Sequence, residues 1–302
     1  MPLYRITHTT TWTHHAPVAT AWQMLRLQPG DTTGQRCLDW RLSITPEPAV
    51  ITTRTDYFGN RMHLFNLSQP HAQLVIHAVS RVAREDIPPP ALDLDLTPPP
   101  ALAALQTTQA IHSGEFQLEQ YRHPTALVPH LPEAASLAAG LDLAGMPVLT
   151  WLAALGEKFG RDYKFDTTVT TIATPLAQVL RNRRGVCQDF AHLFLSCLRQ
   201  HGLAAAYVSG YLLTEPPPGS PRLLGVDAMH AWISVHVPGT GWIDYDPTNL
   251  MFAGVGHITV ARGRDYADIT PTRGVFSGAD SHALKVEVTV QPEDEMDCSF
   301  TI

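Results

Sequence analysis

The run Arg184-Gly185-Val186-Cys187-Gln188-Asp189-Phe190-Ala191-His192 holds the side chain of this sequence best suited to covalent chemistry. Cys187 stands ahead of a segment whose apolar positions Phe190, Leu193, Phe194, Cys197 and Leu198 recur at helical spacing. Gly202 reads as the stop just past the last turn, and Gly185 lets the backbone turn sharply into the helix. A cysteine on a first helical turn meets unpaired backbone N–H groups and the positive end of the helix dipole. That setting, with an imidazolium nearby, favours thiolate over thiol. The same N–H groups can hold the oxyanion of a tetrahedral intermediate.

Two later segments supply partners. Met229-His230-Ala231-Trp232 offers a base, and Asp244-Tyr245-Asp246-Pro247-Thr248-Asn249 offers a carboxylate to orient it. Residues 204–213, 229–237 and 241–246 are apolar, rich in aromatic and β-branched residues, and bounded by Gly and Pro, as strands are. Pro238-Gly239-Thr240-Gly241 is a hairpin signal between the last two. In such a hairpin the end of the second strand lies beside the start of the first, which places Asp246 near His230. A helix packed on the sheet would bring Cys187 to the imidazole and complete a relay for acyl transfer through a thioester. Asp244 and Asp246 share one face of their strand, so periodicity does not choose between them. Taken singly, a cysteine on an apolar helix or a histidine on a strand is ordinarily core, and Cys197 reads that way. The joint occurrence in this order, with these flanking residues, favours the relay.

The segments 185–194, 198–202, 207–212, 230–232 and 241–249 together resemble the bacterial transglutaminase-like superfamily, and so does the stretch 257–271. The first eighty residues are similar to that group's N-terminal domain, through His8-Thr9-Thr10, Leu25-Arg26-Leu27, Asp56-Tyr57-Phe58-Gly59-Asn60 and Pro70-His71. The resemblance implies a papain-like cysteine core with a β-rich N-terminal domain. It implies a catalytic triad of Cys187 as nucleophile, His230 as base and Asp246 as orienter, the last chosen by the Asp-Pro-Thr-Asn motif. It does not imply transglutamination, since the superfamily also holds peptidases, amidases and a deglycosylating branch. Similar chains often carry Glu shortly after His-Ala-Trp; this one has Ile233-Ser234-Val235, which puts any substrate contact of that carboxylate in doubt.

The expected architecture is α+β: a sandwich or barrel-like β domain over residues 1–86, a proline-rich linker and helical segment over 87–150, and a transglutaminase-like core over 151–302 that ends in a strand. Alternation marks strands at 4–8, 38–44, 50–56, 61–67 and 73–83, while 18–27 reads as strand or helix start. Asp56-Tyr57-Phe58-Gly59-Asn60 reads as a turn. Pro88-Pro89-Pro90 and Pro98-Pro99-Pro100 break regular structure, and 101–160 is Ala/Leu-rich and expected mostly helical, with starts at Pro132 and Pro147. A short helix over 174–180 leads to the cysteine turn, and 283–290 should return as a strand. The loop 215–227 is expected near the site mouth, with Tyr163, Phe165 and Tyr207 as candidates to line it.

The 302 residues suit two domains, and 44% hydrophobic residues can build their cores. A net charge of −7 argues against nucleic acid or an anionic membrane as partner. Met1-Pro2-Leu3-Tyr4-Arg5 leads straight into a strand pattern without a signal peptide. Cys37, Cys187, Cys197 and Cys298 lack metal spacing and disulfide density, so a reducing cytoplasm is expected. His192, His230 and His236 with Cys187 make a zinc site conceivable, but the spacing matches no zinc motif, and neither metal nor organic cofactor is expected. The expected partner is a peptide or protein substrate, cleaved as an amide. The alternatives are transfer to an amine, as in a protein-glutamine transglutaminase, and a non-catalytic peptide-binding or assembly module. A deep dry tunnel would favour the amine, an open wet cleft hydrolysis.

Overall fold

The computed structural model describes residues 1–87, 116–142, 145–214, 229–237, 240–278 and 281–295. Proline runs 88–90 and 98–100, the loop 215–227, Pro238-Gly239 and Cys298 lie outside them. The alternation of β1 (Leu3–Val18) buries Tyr4, Ile6, His8, Thr10 and Trp12 on one face. It is followed by β2 (Thr20–Leu25), β3 (Gln35–Thr45), β4 (Ile51–Thr55), β5 (Arg61–Leu67) and β6 (His71–Arg84). Residues 20–25 are thus strand rather than helix. At Asp56 the expected turn forms, its Oδ1 accepting the N–H groups of Phe58 at 3.0 Å and Asn60 at 2.9 Å. Two sheets result, ordered β15-β1-β6-β3 and β14-β2-β5-β4, with β14 (Thr272–Ser277) and β15 (His282–Pro292) from the far end of the chain. Trp12, Leu25, Phe65, Leu74 and Ile76 pack between them, so the β domain is a sandwich.

In the described part of 101–160 helix is scarcer than the composition suggests: it holds 3-10 turns at Phe116–Tyr121 and Ser136–Ala138, a single α turn α1 (Pro132–Ala135), and one full helix, α2 (Val148–Asp162). Pro124, Pro129 and Pro132 interrupt the stretch before a ladder of hydrogen bonds can propagate. Pro147 sits at the N-cap of α2, which buries Val148, Leu152, Leu155 and Phe159 at i, i+4, i+7 and i+11. Two short strands, β7 (Lys164–Phe165) and β8 (Arg184–Gly185), pair in parallel around α3 (Leu176–Asn182). Then comes α4 (Cys187–Gln200), which packs on a five-stranded sheet ordered β12-β11-β10-β9-β13.

That sheet is antiparallel throughout: β9 (Ala205–Leu212), β10 (Met229–Val237), β11 (Gly241–Asp246), β12 (Met251–Phe252) and β13 (His257–Gly263). Its inner face presents Tyr207, Tyr211, Ala231, Ile233, Val235 and Tyr245 to the core that α4 shares. The molecule is α+β, with a papain-like core behind the β sandwich. Strand 283–290 forms as β15, but it pairs with β1 rather than with the core sheet, and β14 pairs with β2. Both strands therefore cover edges that the sandwich would otherwise leave open. Because β1, β6 and β15 are long, their other halves put Tyr4, Ile6, Val82, Val288 and Val290 into the core of the second half.

Candidate active site

Cys187 is the first residue of α4, and Val186 is its N-cap with extended backbone. Asp189, in the first turn, folds back so that its Oδ2 accepts Val186 N–H at 2.9 Å and the Thr170 hydroxyl at 2.7 Å. This fixes the approach of the chain to the helix. Gly185 is required by that contact: a Cβ there would lie 2.7 Å from Asp189 Oδ2 and 2.9 Å from its Cβ. The glycine serves close approach, not a positive φ as a sharp turn would suggest.

The hairpin of β10 and β11 pairs Ile233 with Tyr245 and Ser234 with Asp244. This register carries Asp246 toward the start of β10, where His230 Nε2 donates to its Oδ2 at 2.6 Å. With Nε2 so engaged, Nδ1 is the ring nitrogen left for Cys187, which is within hydrogen-bond reach of His230. Asp246 is fully buried. Its Oδ2 also accepts Asn249 Nδ2 at 2.7 Å and His257 Nε2 at 3.1 Å, while Oδ1 accepts the N–H groups of Thr248 at 2.9 Å and Asn249 at 3.2 Å. Burial works to raise the Asp246 pKa, but the bonds from His230, His257 and Asn249 outweigh it and hold the group well below the usual carboxylate range. For His230, burial works to lower the pKa, and the bonds to Asp246 and Cys187 carry it up to about 10.

Asp244 is the carboxylate that does not join them. It accepts Trp232 Nε1 at 3.0 Å, the Ser234 hydroxyl and, at 3.4 Å, Arg262. The departure after His-Ala-Trp is explained by the same strand: Ile233 and Val235 are core, and Ser234 is tied to Asp244. His257 was not singled out in the sequence as a partner of Asp246. Gly254 N–H donates to its Nδ1 at 3.2 Å, so Nε2 carries the proton given to Asp246. The signal available was a histidine opening an apolar strand, in a segment already similar to the family.

The other histidines weighed with Cys187 lie apart. His192 is buried, accepts Tyr266 N–H at Nε2 at 3.2 Å, and burial pulls its pKa down to about 3. His236 packs against Trp242 at 5.3 Å. Among the described residues no three His, Cys, Asp or Glu side chains converge as metal ligands.

Cys187 and His230 open on a cleft of about 210 Å³. On the core side it is lined by Gln188, Tyr207, Ser209, Met229 and Tyr266. The opposite wall comes from the sandwich: His8 and Thr10 of β1, Leu284 and Val286 of β15. Tyr207 thus lines the cleft, whereas Tyr163 stacks on Phe159 at 4.2 Å and neither it nor Phe165 reaches it. The second wall was hidden in the sequence, because it depends on strands paired across nearly the whole chain. Gly210 lies opposite His230 on β9, and a Cβ there would meet Ile258 O at 2.1 Å and Trp232 at 2.4 Å; only glycine lets β13 and the indole close in behind the histidine.

Residues 4–83 match the family model of the bacterial transglutaminase-like N-terminal region, and residues 137–247 match that of the transglutaminase-like superfamily. An uncharacterised protein of Mycobacterium tuberculosis (strain ATCC 25618 / H37Rv) is 37% identical, covering 96% of this chain and 92% of that one. A protein-glutamine gamma-glutamyltransferase of Pseudomonas aeruginosa is 32% identical over 39% of this chain and 18% of its own length. A crystal structure from Cytophaga hutchinsonii, named as a candidate cysteine protease, superposes with a TM-score of 0.72 at 19% identity, covering 96% of this chain and 90% of that one. The match supports the fold. With both family models matched in order and the nucleophile helix and sheet arranged as above, the chain belongs to the transglutaminase-like superfamily and carries its bacterial N-terminal region.

Proposed function

We propose that the protein is a cysteine hydrolase that cleaves an amide bond in a peptide or peptide-like substrate through a thioester on Cys187. The observation that carries this reading is the contiguous chain of Cys187, His230 and Asp246 at one end of a cleft. Cys187 Sγ attacks the carbonyl carbon, and the backbone N–H groups at the start of α4 receive the oxyanion. His230 gives its proton to the leaving amine, and the C–N bond breaks. Acylation ties the sulfur into the thioester and removes one of the two contacts that hold the proton on His230. The freed imidazole then takes a proton from water, whose oxygen attacks the thioester and releases the acid and the thiol. Asp246 keeps the ring oriented throughout.

Water is favoured over an amine as acceptor because, among the described residues, no carboxylate lines the cleft to receive a lysine ammonium. The need for a free thiol fits a reducing compartment such as the cytoplasm. The described residues contain no helix long and apolar enough to cross a membrane. The test is intact mass spectrometry after mixing with peptide amides and activated esters. The expected result is an acyl adduct on the wild type, absent in Cys187→Ala, that disappears in water at the same rate with or without added amine, and with chelator present. Adduct decay that requires an amine would make the protein a transferase; no adduct with any acyl donor would favour a binding module.

A further inference from the structure

Asp246 holds two histidines on one oxygen. Its Oδ2 accepts His230 of β10 at 2.6 Å and His257 of β13 at 3.1 Å. The two rings differ in freedom. His230 has Cys187 within hydrogen-bond reach at its other nitrogen. His257 is 3% exposed, and both its nitrogens are engaged inside the protein. Gly254 N–H reaches Nδ1 at 3.2 Å, and a backbone N–H can only donate, so Nδ1 keeps its lone pair. The ring proton therefore sits on Nε2 and points at Asp246. His257 N–H closes the same turn on Gly254 O at 3.0 Å, so ring and anchor belong to one four-residue unit. Trp232 packs edge-on against the ring at 5.3 Å. Gly210 gives β13 room to bring it in, since a Cβ there would run into the carbonyl of Ile258, the next residue.

The consequence concerns Asp246 through the reaction cycle. It is fully buried, and burial favours the neutral acid. While His230 is charged, its charge helps to hold Asp246 as an anion. Once the Nδ1 proton has gone to the leaving amine, that charge is lost. Fixed donors must then keep Asp246 from drawing the remaining proton off Nε2, which would undo the tautomer of the base. The N–H groups of Thr248 and Asn249 and the Asn249 amide come from the turn that follows Asp246 itself. His257 reaches it from a separate strand. We infer that His257 is a positioning residue of the acyl-transfer relay, a permanent donor that keeps Asp246 ionised and its Oδ2 in place while His230 cycles between charged and neutral. His257 does not line the cleft and acts through Asp246. This inference rests on the acyl-enzyme reading above and adds the residue that supports the carboxylate of its relay.

The test uses the full chain and 4-nitrophenyl acetate. The nitrophenol burst and the mass of Cys187 give acylation, and the steady rate gives hydrolysis of the acyl-enzyme. His257→Leu removes the donor and should lower both rate constants about 10- to 100-fold, the scale of one hydrogen bond to a charged group, with the half-saturating ester concentration unchanged. His257→Gln can present an N–H in place of Nε2 and should recover most of the loss. In an Asp246→Asn background, followed by adduct mass because turnover is slow, His257→Leu should change acylation by less than about twofold, because no anion is left to hold. A packing role for the ring would lower the rate by the same factor in both backgrounds, and that result overturns the inference. Full activity of His257→Leu overturns it as well. Should His257→Leu fail to fold, nitrogen NMR of the wild type decides: at about pH 8 the His257 proton should be on Nε2, and a proton on Nδ1 overturns the inference. A wild type that is never acylated sinks the acyl-enzyme reading; a normal burst with undiminished His257→Leu sinks this inference alone.

Discussion

Asp246 and Asp244 are two residues apart on one strand, yet one receives His230 and His257 and the other Trp232, Ser234 and Arg262. Asp246→Ala should therefore lower kcat by about 10⁴-fold, the cost of an unoriented imidazole, whereas Asp244→Ala should act on stability first. Steady-state rates and denaturant unfolding of both variants check this, and a mild Asp246→Ala beside an inactive Asp244→Ala reverses the assignment. Reactivity gives a second expectation. Burial pushes the thiols of Cys37 up to about 11 and Cys197 up to about 12, while Cys187 is partly exposed beside His230. Iodoacetamide at about pH 6 should label Cys187 before those two; equal labelling in the folded protein contradicts it. The third expectation concerns pH. The folded-state pKa of His230, about 10, lies above its ordinary value, so its stabilisation is present in full below about pH 6.5 and is lost as pH rises through about 10. In Asp246→Asn the histidine titration followed by NMR should move down, and the alkaline decline in stability should shrink. A titration that stays near pH 10 would assign the shift to Cys187 alone.

Among elements, the start of α4 is the most constrained. Gly185→Ala would push the Asp189 side chain off Val186, at a cost of about 1–3 kcal/mol for overpacking a buried contact. Since Cys187 follows two residues later, kcat should fall together with Tm, and a variant with lowered Tm but full activity would show that Asp189 does not set the thiol. This helix was legible in the sequence because its signals are local: apolar spacing from Phe190 to Leu198, a glycine before, a glycine after. The hairpin of β10 and β11 was legible for the same reason, from two apolar runs bounded by Gly and Pro. Strand alternation marked the sandwich. Two things were not local. The scarcity of helix in the described part of 101–160 was one, since Ala and Leu favour helix but Pro124 and Pro129 interrupt it before Pro132 opens a single turn. The destination of 283–290 was also hidden: its pattern says strand, but nothing in it names β1 as the neighbour.

At the scale of the molecule, the two halves are not beads on a linker. Strands β14 and β15 leave the core and complete both sandwich sheets, and the Gln35 side chain bonds Thr259 O at 2.7 Å and accepts its N–H at 2.9 Å. Asn60 makes the same double contact with Arg262, at 2.9 and 2.8 Å. With amide bonds and strands crossing the boundary, sandwich and core should unfold in one calorimetric transition; two resolved transitions would contradict this.

The order of manufacture adds a consequence. A ribosome makes α4, β10 and β11 before β15, so Cys187, His230 and Asp246 are synthesised ahead of Leu284 and Val286, the wall that completes their cleft. Until β15 pairs with β1, the cleft lacks that wall. Removing β15 should therefore unmake one wall of the cleft together with one edge of the sandwich.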